Sequence, residues 1–244
     1  MSARFRRTKR TLIGLITGIA VALAAVFAVG GYFSREAYVF EPATGGRSDG
    51  LVAVFWSGDM GTAVGLGRTV IERLRADGIA VLVVRSPVLF ARQRDAGFAD
   101  RVMVQALRRA LAQPDTQRVA VVGSSFGSDM VVASLGHVPP DLRARIPAVA
   151  LVGAGKDIYF HANPSGLFYS GPSAVDPAVA VPLMKGLPVT CIYGSADDET
   201  LCPKPEMAGA RQVRIEAGHA MLWSHDLVAR KVLQALRQPP PPLP

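Results

Sequence analysis

The segment Gly123-Ser124-Ser125-Phe126-Gly127 sets a serine between two glycines at GxSxG spacing, directly after the apolar run Val119 to Val122. If that run is a strand and a helix follows, the serine sits on a sharp turn with its hydroxyl exposed. A hydroxyl is a weak nucleophile until an imidazole takes its proton, and a carboxylate is needed to hold the imidazole tautomer. Of the four histidines, His219 is the best base, because it follows a short apolar run, Val213 to Ile215, through Glu216-Ala217-Gly218. His137 closes an expected helix, His161 lies in an irregular stretch and His225 falls within the last expected helix. The acid comes from Gly194-Ser195-Ala196-Asp197-Asp198-Glu199, which follows the run Val189 to Tyr193. Asp197 is the first choice and Asp198 the alternative.

Acyl chemistry also needs donors for an oxyanion. The backbone N–H of Phe126 is one, and the turn Ser57-Gly58-Asp59-Met60-Gly61 offers another at Asp59 or Met60. The Asp59 and Asp129 side chains are candidates for meeting a cationic group of a substrate. Asp129 also suits the first turn of the helix after the serine, where an acid complements the helix dipole. Neither a CxxC pair nor a paired-histidine spacing is present, so no metal is expected, and acyl transfer through a serine needs no cofactor.

These residues need a scaffold. The runs Leu51 to Trp56, Ile79 to Val84, Val119 to Val122, Ala148 to Val152, Val189 to Tyr193 and Val213 to Ile215 are short, apolar and bounded by turn formers. They are expected as about six buried strands. Between them, Ala63 to Asp77, Phe98 to Ala112, a segment from near Ser128 and Met221 to Leu236 have helical spacing. That alternation predicts an α/β fold, a mostly parallel sheet with helices on both faces. Serine, acid and histidine then arrive in the order and at the strand ends of an α/β-hydrolase-like arrangement. The interval from Gly153 to Gly186, rich in Gly, Pro and aromatics including Tyr159, Phe160, Phe168 and Tyr169, is expected as a small cap.

The expected organisation is a basic cytoplasmic segment over 1–10, an apolar segment over 11–33, a linker over 34–49 containing Gly45-Gly46, the α/β domain over 50–237 and an extended Pro-rich tail over 238–244. The 23-residue apolar segment lacks charge and would reach about 34 Å as a helix, enough to cross a bilayer. By the positive-inside rule the domain then lies across the membrane, in the periplasm of a bacterium. An uncleaved anchor is favoured over a secretory signal, for which Val26-Phe27-Ala28 offers a cleavage-like site. Five of the 27 basic residues, Arg4, Arg6, Arg7, Lys9 and Arg10, precede the span, leaving 22 against 19 acidic and a body of about +3 within the total of +8. No basic cluster with stacking aromatics remains, so nucleic acid is not an expected partner. Cys191 and Cys202, the two cysteines, are a disulfide candidate in such an oxidising compartment.

VFWSGDMG, RSPVLF, VVGSSFGSDM, CIYGSADDETLCP and EAGHAM together resemble the VirJ and AcvB family of bacterial virulence-associated periplasmic proteins. The resemblance runs from about Leu51 to the last helix. It implies an α/β-hydrolase-like fold and hydrolysis of the aminoacyl ester of lysyl-phosphatidylglycerol, with Ser125, Asp197 and His219 in the catalytic positions. Met60 stands where the family loop commonly has glycine, Ser124 where it has tyrosine and Ser128 where it has alanine. A serine-dependent ester hydrolase at the membrane is therefore the leading expectation, with other esters as further substrates. The second expectation is a periplasmic adaptor or chaperone-like module that binds a secreted protein without catalysis, supported by an exposed polyproline tail.

Overall fold

The structure, a computed structural model, describes residues 3–45, 49–63, 65–164, 169 and 171–244, with the backbone alone for residues 3–12. Gly46 and Phe168 lie outside the described residues. The chain opens with helix α1 (Ala3–Gly30), whose 18-residue stretch Ile13–Gly30 has a mean hydropathy of 2.4 and is long and apolar enough to cross a membrane. Strand β1 (Tyr38–Glu41) and strand β2 (Leu51–Trp56) precede helix α2 (Leu66–Ala76), strand β3 (Ala80–Val84) and the short helix α3 (Ser86–Phe90). Helix α4 (Ala96–Leu111), strand β4 (Arg118–Ser124), helix α5 (Phe126–Ser134), helix α6 (Pro140–Arg143) and strand β5 (Val149–Val152) follow. The remainder holds helix α7 (Pro177–Ala180), strands β6 (Val189–Gly194) and β7 (Arg211–Ile215), and helix α8 (His225–Arg237).

The strands form one sheet in the order β1-β3-β2-β4-β5-β6-β7, parallel except for β1. All six residues of β2 are buried, because a central parallel strand is covered on both faces. Its side chains alternate: Val52, Val54 and Trp56 join Met103, Leu107 and Met130 on the α4 and α5 side, while Ala53 and Phe55 join Ile71, Leu74 and Val228 on the α2 and α8 side.

Three details differ from expectation. The sheet has seven strands rather than about six, since β1 forms within residues 34–49 and pairs antiparallel with β3. Arg68 and Arg75 clamp Glu41 of this edge strand at 2.9 and 3.0 Å, and the Tyr38 hydroxyl donates to Gln105 at 2.8 Å. Helix α8 starts at His225 rather than Met221, because Met221 and Trp223 hold positive φ of 47° and 66°, which a right-handed helix excludes. The Pro-rich tail is not exposed along its length: Pro240 and Leu243 are buried, and Leu243 exchanges backbone hydrogen bonds of 2.9 Å with Gly186 and Leu187.

Cys191 in β6 and Cys202 in the following loop are disulfide-bonded. The bridge closes a loop 11 residues apart in sequence that carries Asp197. Constraining so short a loop is worth about 3 kcal/mol through the unfolded state. Urea unfolding with and without reductant is expected to differ by about that amount.

Candidate active site

Ser125 sits between β4 and α5 with φ 51° and ψ −125°, a backbone conformation in which an L-residue is strained and its side chain is thrust off the turn. The flanking sequence makes that turn sterically feasible. A Cβ on Gly123 would lie 2.5 Å from Ser128 Cα, and a Cβ on Gly127 would lie 2.2 Å from the Trp56 carbonyl oxygen. Neither position admits a side chain. Ser125 N–H donates to Val152 O at 2.7 Å, and buried Ser128 both donates to Val152 O and accepts Val152 N–H at 3.0 Å. Serine at 128 thus ties α5 to β5.

The chain returns to this rim twice more. Beyond β6, Gly194 packs under Gly218, whose carbonyl oxygen would be 2.4 Å from an added Cβ, so the acid and histidine loops lie against each other. Beyond β7, the His219 ring passes over Gly153 and reaches the serine. Ser125 Oγ lies 2.8 Å from His219 Nε2, and His219 Nδ1 lies 2.7 Å from Asp197 Oδ2. A carboxylate at Nδ1 fixes the proton there and leaves Nε2 to accept from the serine hydroxyl. The Asp197 side chain is 5% exposed and His219 42%, so a sheltered acid backs a base open to the cleft. Asp198 is exposed and is not hydrogen-bonded to the imidazole; its charge falls near Lys156. His137 pairs with Asp100 at 3.0 Å and His225 Nε2 faces Ala220 O, both apart from the serine.

Electrostatics follow from this packing. The hydrogen bond to Asp197, opposed by burial and reinforced by the charges of Asp197, Asp129 and Asp59, raises the His219 pKa above its ordinary value. Burial pushes the Asp197 carboxyl up, but the His219 hydrogen bond and charge, with the Glu199 N–H, outweigh it and hold it below the usual range. Protonated His219 cannot accept the serine proton, so a reaction that used Ser125 as nucleophile would be lost as pH falls through the raised value. The acid limb of kcat/KM against pH is expected to have its midpoint above the ordinary histidine value of about 6.5, and to move down in Asp197→Asn.

Phe126 opens α5, so its N–H is one of the donors a helix start leaves without an intrahelical acceptor. The turn after β2 comes close: a Cβ on Gly58 would lie 3.4 Å from Ser125 Cβ. Asp59 is 5% exposed, and its carboxylate accepts from Asn163 N–H at 2.7 Å and from the Tyr169 hydroxyl. Burial raises its pKa against these two bonds and one from its own backbone N–H. That carboxylate is committed to Asn163 and Tyr169 and does not stand free for a substrate cation. Asp129 does more than complement a helix dipole. Partly buried, it accepts from Gly155 N–H at 2.7 Å, and burial above all, with Asp59 nearby, lifts its pKa to about 7.

Sequence reasoning did not assign roles to Asn163, Gly155, Tyr159 or Tyr169. Tyr169 stacks on Tyr159 with centroids 4.9 Å apart and holds Asp59. The aromatic richness of the 153–186 interval was the available signal. The cleft, about 380 Å³, is lined by Ser125, His219, the two tyrosines and five carboxylates, Asp59, Asp129, Asp157, Asp197 and Glu199. Among the described lining residues there is no lysine or arginine.

A serine on a strained strand-to-helix turn, in a largely parallel sheet with acid and histidine on later loops, defines the α/β-hydrolase-like class of fold. Solved structures agree. Est1E from Butyrivibrio proteoclasticus superposes with a TM-score of 0.63 at 12% identity, covering 82% of this chain and 93% of that one. The enol-lactonase from Burkholderia xenovorans LB400 gives 0.58 at 16% identity over 82% and 96%, and the esterase domain of a Rhodothermus marinus protein 0.54 at 15% over 81% and 91%. No curated protein matches the sequence. The chain belongs to the family described as bacterial virulence protein (VirJ), whose model matches residues 50–239.

Proposed function

We propose that this protein is a serine-dependent ester hydrolase acting on an aminoacylated phospholipid, lysyl-phosphatidylglycerol, in the periplasm, with α1 as its membrane anchor. The observation that carries the reading is the continuous hydrogen-bonded chain from Ser125 Oγ through His219 to Asp197, 2.8 and 2.7 Å long at its two links. The cleft lining holds five carboxylates and no lysine or arginine among its described residues. With Asp59 and Asp197 tied to protein donors and Glu199 paired with Lys156, Asp129 and Asp157 are the acids that favour a cationic acyl group such as lysyl.

In this reading Ser125 Oγ attacks the ester carbonyl carbon as its proton passes to His219 Nε2. Asp197 holds the imidazolium that forms. The tetrahedral oxyanion accepts from the Phe126 N–H and from an N–H of the turn after β2, at Asp59 if it leaves its own carboxylate or at Met60, each such donor being worth about 10²-fold or more in rate. Collapse breaks the acyl C–O bond, and His219 returns the proton to the departing glycerol oxygen. Water, deprotonated by His219, then attacks the lysyl-enzyme and frees lysine and Ser125.

The test is the full chain in vesicles containing lysyl-phosphatidylglycerol. Free lysine is expected from wild type and none above background from Ser125→Ala. Equal persistence of the lipid with both proteins contradicts the substrate assignment.

A further inference from the structure

The rim that carries Ser125 is also where the apolar helix arrives. A Cβ on Gly61, in the turn after β2, would lie 2.7 Å from the Gly30 carbonyl oxygen at the end of α1. Gly30 in turn lies against Met60 and the Tyr32 ring. The turn that approaches Ser125 therefore touches the last residue of the stretch long enough to cross a membrane. Tyr32 and Phe33 follow at once, with Phe33 69% exposed, and aromatic rings of this kind settle at the boundary between hydrocarbon and water. If α1 spans a bilayer, that boundary runs level with the rim.

A second apolar feature occupies the same rim. Strands β2 and β7 are parallel members of one sheet, and the helices that follow them, α2 and α8, pack side by side. Their starts accordingly lie at one edge. Helix α2 begins soon after Gly61, and α8 begins two residues after Trp223, in the loop that carries His219. In that loop Leu222 is 62% exposed and Trp223 fully exposed. The loop is nonetheless built to be firm. Met221 is wholly buried in the core beneath α2 and α8, its N–H donates to Gly218 O at 3.0 Å, and Ser224 N–H donates to Met221 O at 3.0 Å. A fixed loop that displays a leucine and a tryptophan on the rim where the apolar helix α1 ends presents an apolar surface to whatever α1 enters.

We propose that Leu222 and Trp223 form a second membrane contact, seating the rim of the site in the headgroup region of the bilayer that α1 crosses. This rests on α1 being the anchor, and it deepens the proposed function by naming the surface through which a lipid ester reaches Ser125. A lipid headgroup then meets the cleft without its acyl chains leaving the bilayer.

The test uses the full chain in phosphatidylglycerol and phosphatidylcholine vesicles, with tryptophan emission read against a shallow doxyl-labelled lipid and against aqueous acrylamide. The second tryptophan, Trp56, is wholly buried, so the difference between wild type and Trp223→Phe isolates Trp223. The doxyl lipid is expected to quench the Trp223 component by about twofold or more, as suits an interfacial ring, and acrylamide to quench it little. A Trp223 component open to acrylamide and indifferent to doxyl lipid, in a chain that resists alkaline extraction, overturns the contact and leaves the anchor standing. A chain released by alkali removes the anchor and the contact together. Fluorophosphonate labelling of Ser125 on the same vesicles reports on the hydrolase reading separately, since it needs no membrane contact.

Discussion

His219→Ala is expected to lower ester hydrolysis by roughly 10⁴-fold or more while leaving the fold intact. The imidazole is 42% exposed, so its removal opens a cleft wall and leaves no core cavity. What is lost is the acceptor 2.8 Å from Ser125 Oγ. Asp197→Asn is expected to fall by a comparable factor, because an amide at that position no longer dictates which ring nitrogen carries the proton. Asp198→Asn serves as the internal control. That residue is exposed and outside the hydrogen-bonded chain, so its effect should stay within about twofold, in keeping with a screened surface charge. Steady-state kinetics of the three variants on one ester, with far-UV circular dichroism of each, check the ranking.

Gly127→Ala is expected to be the most damaging single methyl group in the domain. Its Cβ would lie 2.2 Å from Trp56 O and 2.7 Å from Ser57 O, both backbone atoms at the end of a wholly buried strand. No rotamer change relieves such contacts, so α5 must move away from β2 and carry Ser125 with it. Overpacking of a close-packed interior costs about 1–3 kcal/mol when side chains can yield, and a clash between backbones should exceed about 3 kcal/mol. Urea denaturation should register that loss, or the variant should fail to fold. Gly14→Ala gives the contrast, since nothing lies within 4 Å of its Cβ position.

The sheet was legible because its central strands are buried on both faces and leave continuous β-branched runs between turn formers. Strand β1 was not, because Tyr38-Val-Phe-Glu is a four-residue edge strand with one exposed residue and no long apolar run. Its place depends on Arg68 and Arg75 of α2 reaching Glu41, a tertiary fact without a local signature. Ser125, Asp197 and His219 could be named because each follows a strand end within a few residues. The choice of Asp197 over Asp198 needed the path of the loop, which places one carboxylate 2.7 Å from the ring and its neighbour in solvent. Asp59 and Asp129 show the same limit. Their types suggested charge complementarity, but their burial comes from the irregular 153–163 chain folding back over the cleft, and periodicity says nothing of such a path.

A fluorophosphonate adduct mapped by mass spectrometry tests the central assignment most directly. Wild-type protein should gain one adduct, on the peptide containing Ser125, at a rate that collapses in His219→Ala. An unlabelled folded wild type, or labelling that proceeds equally fast without the imidazole, would contradict it.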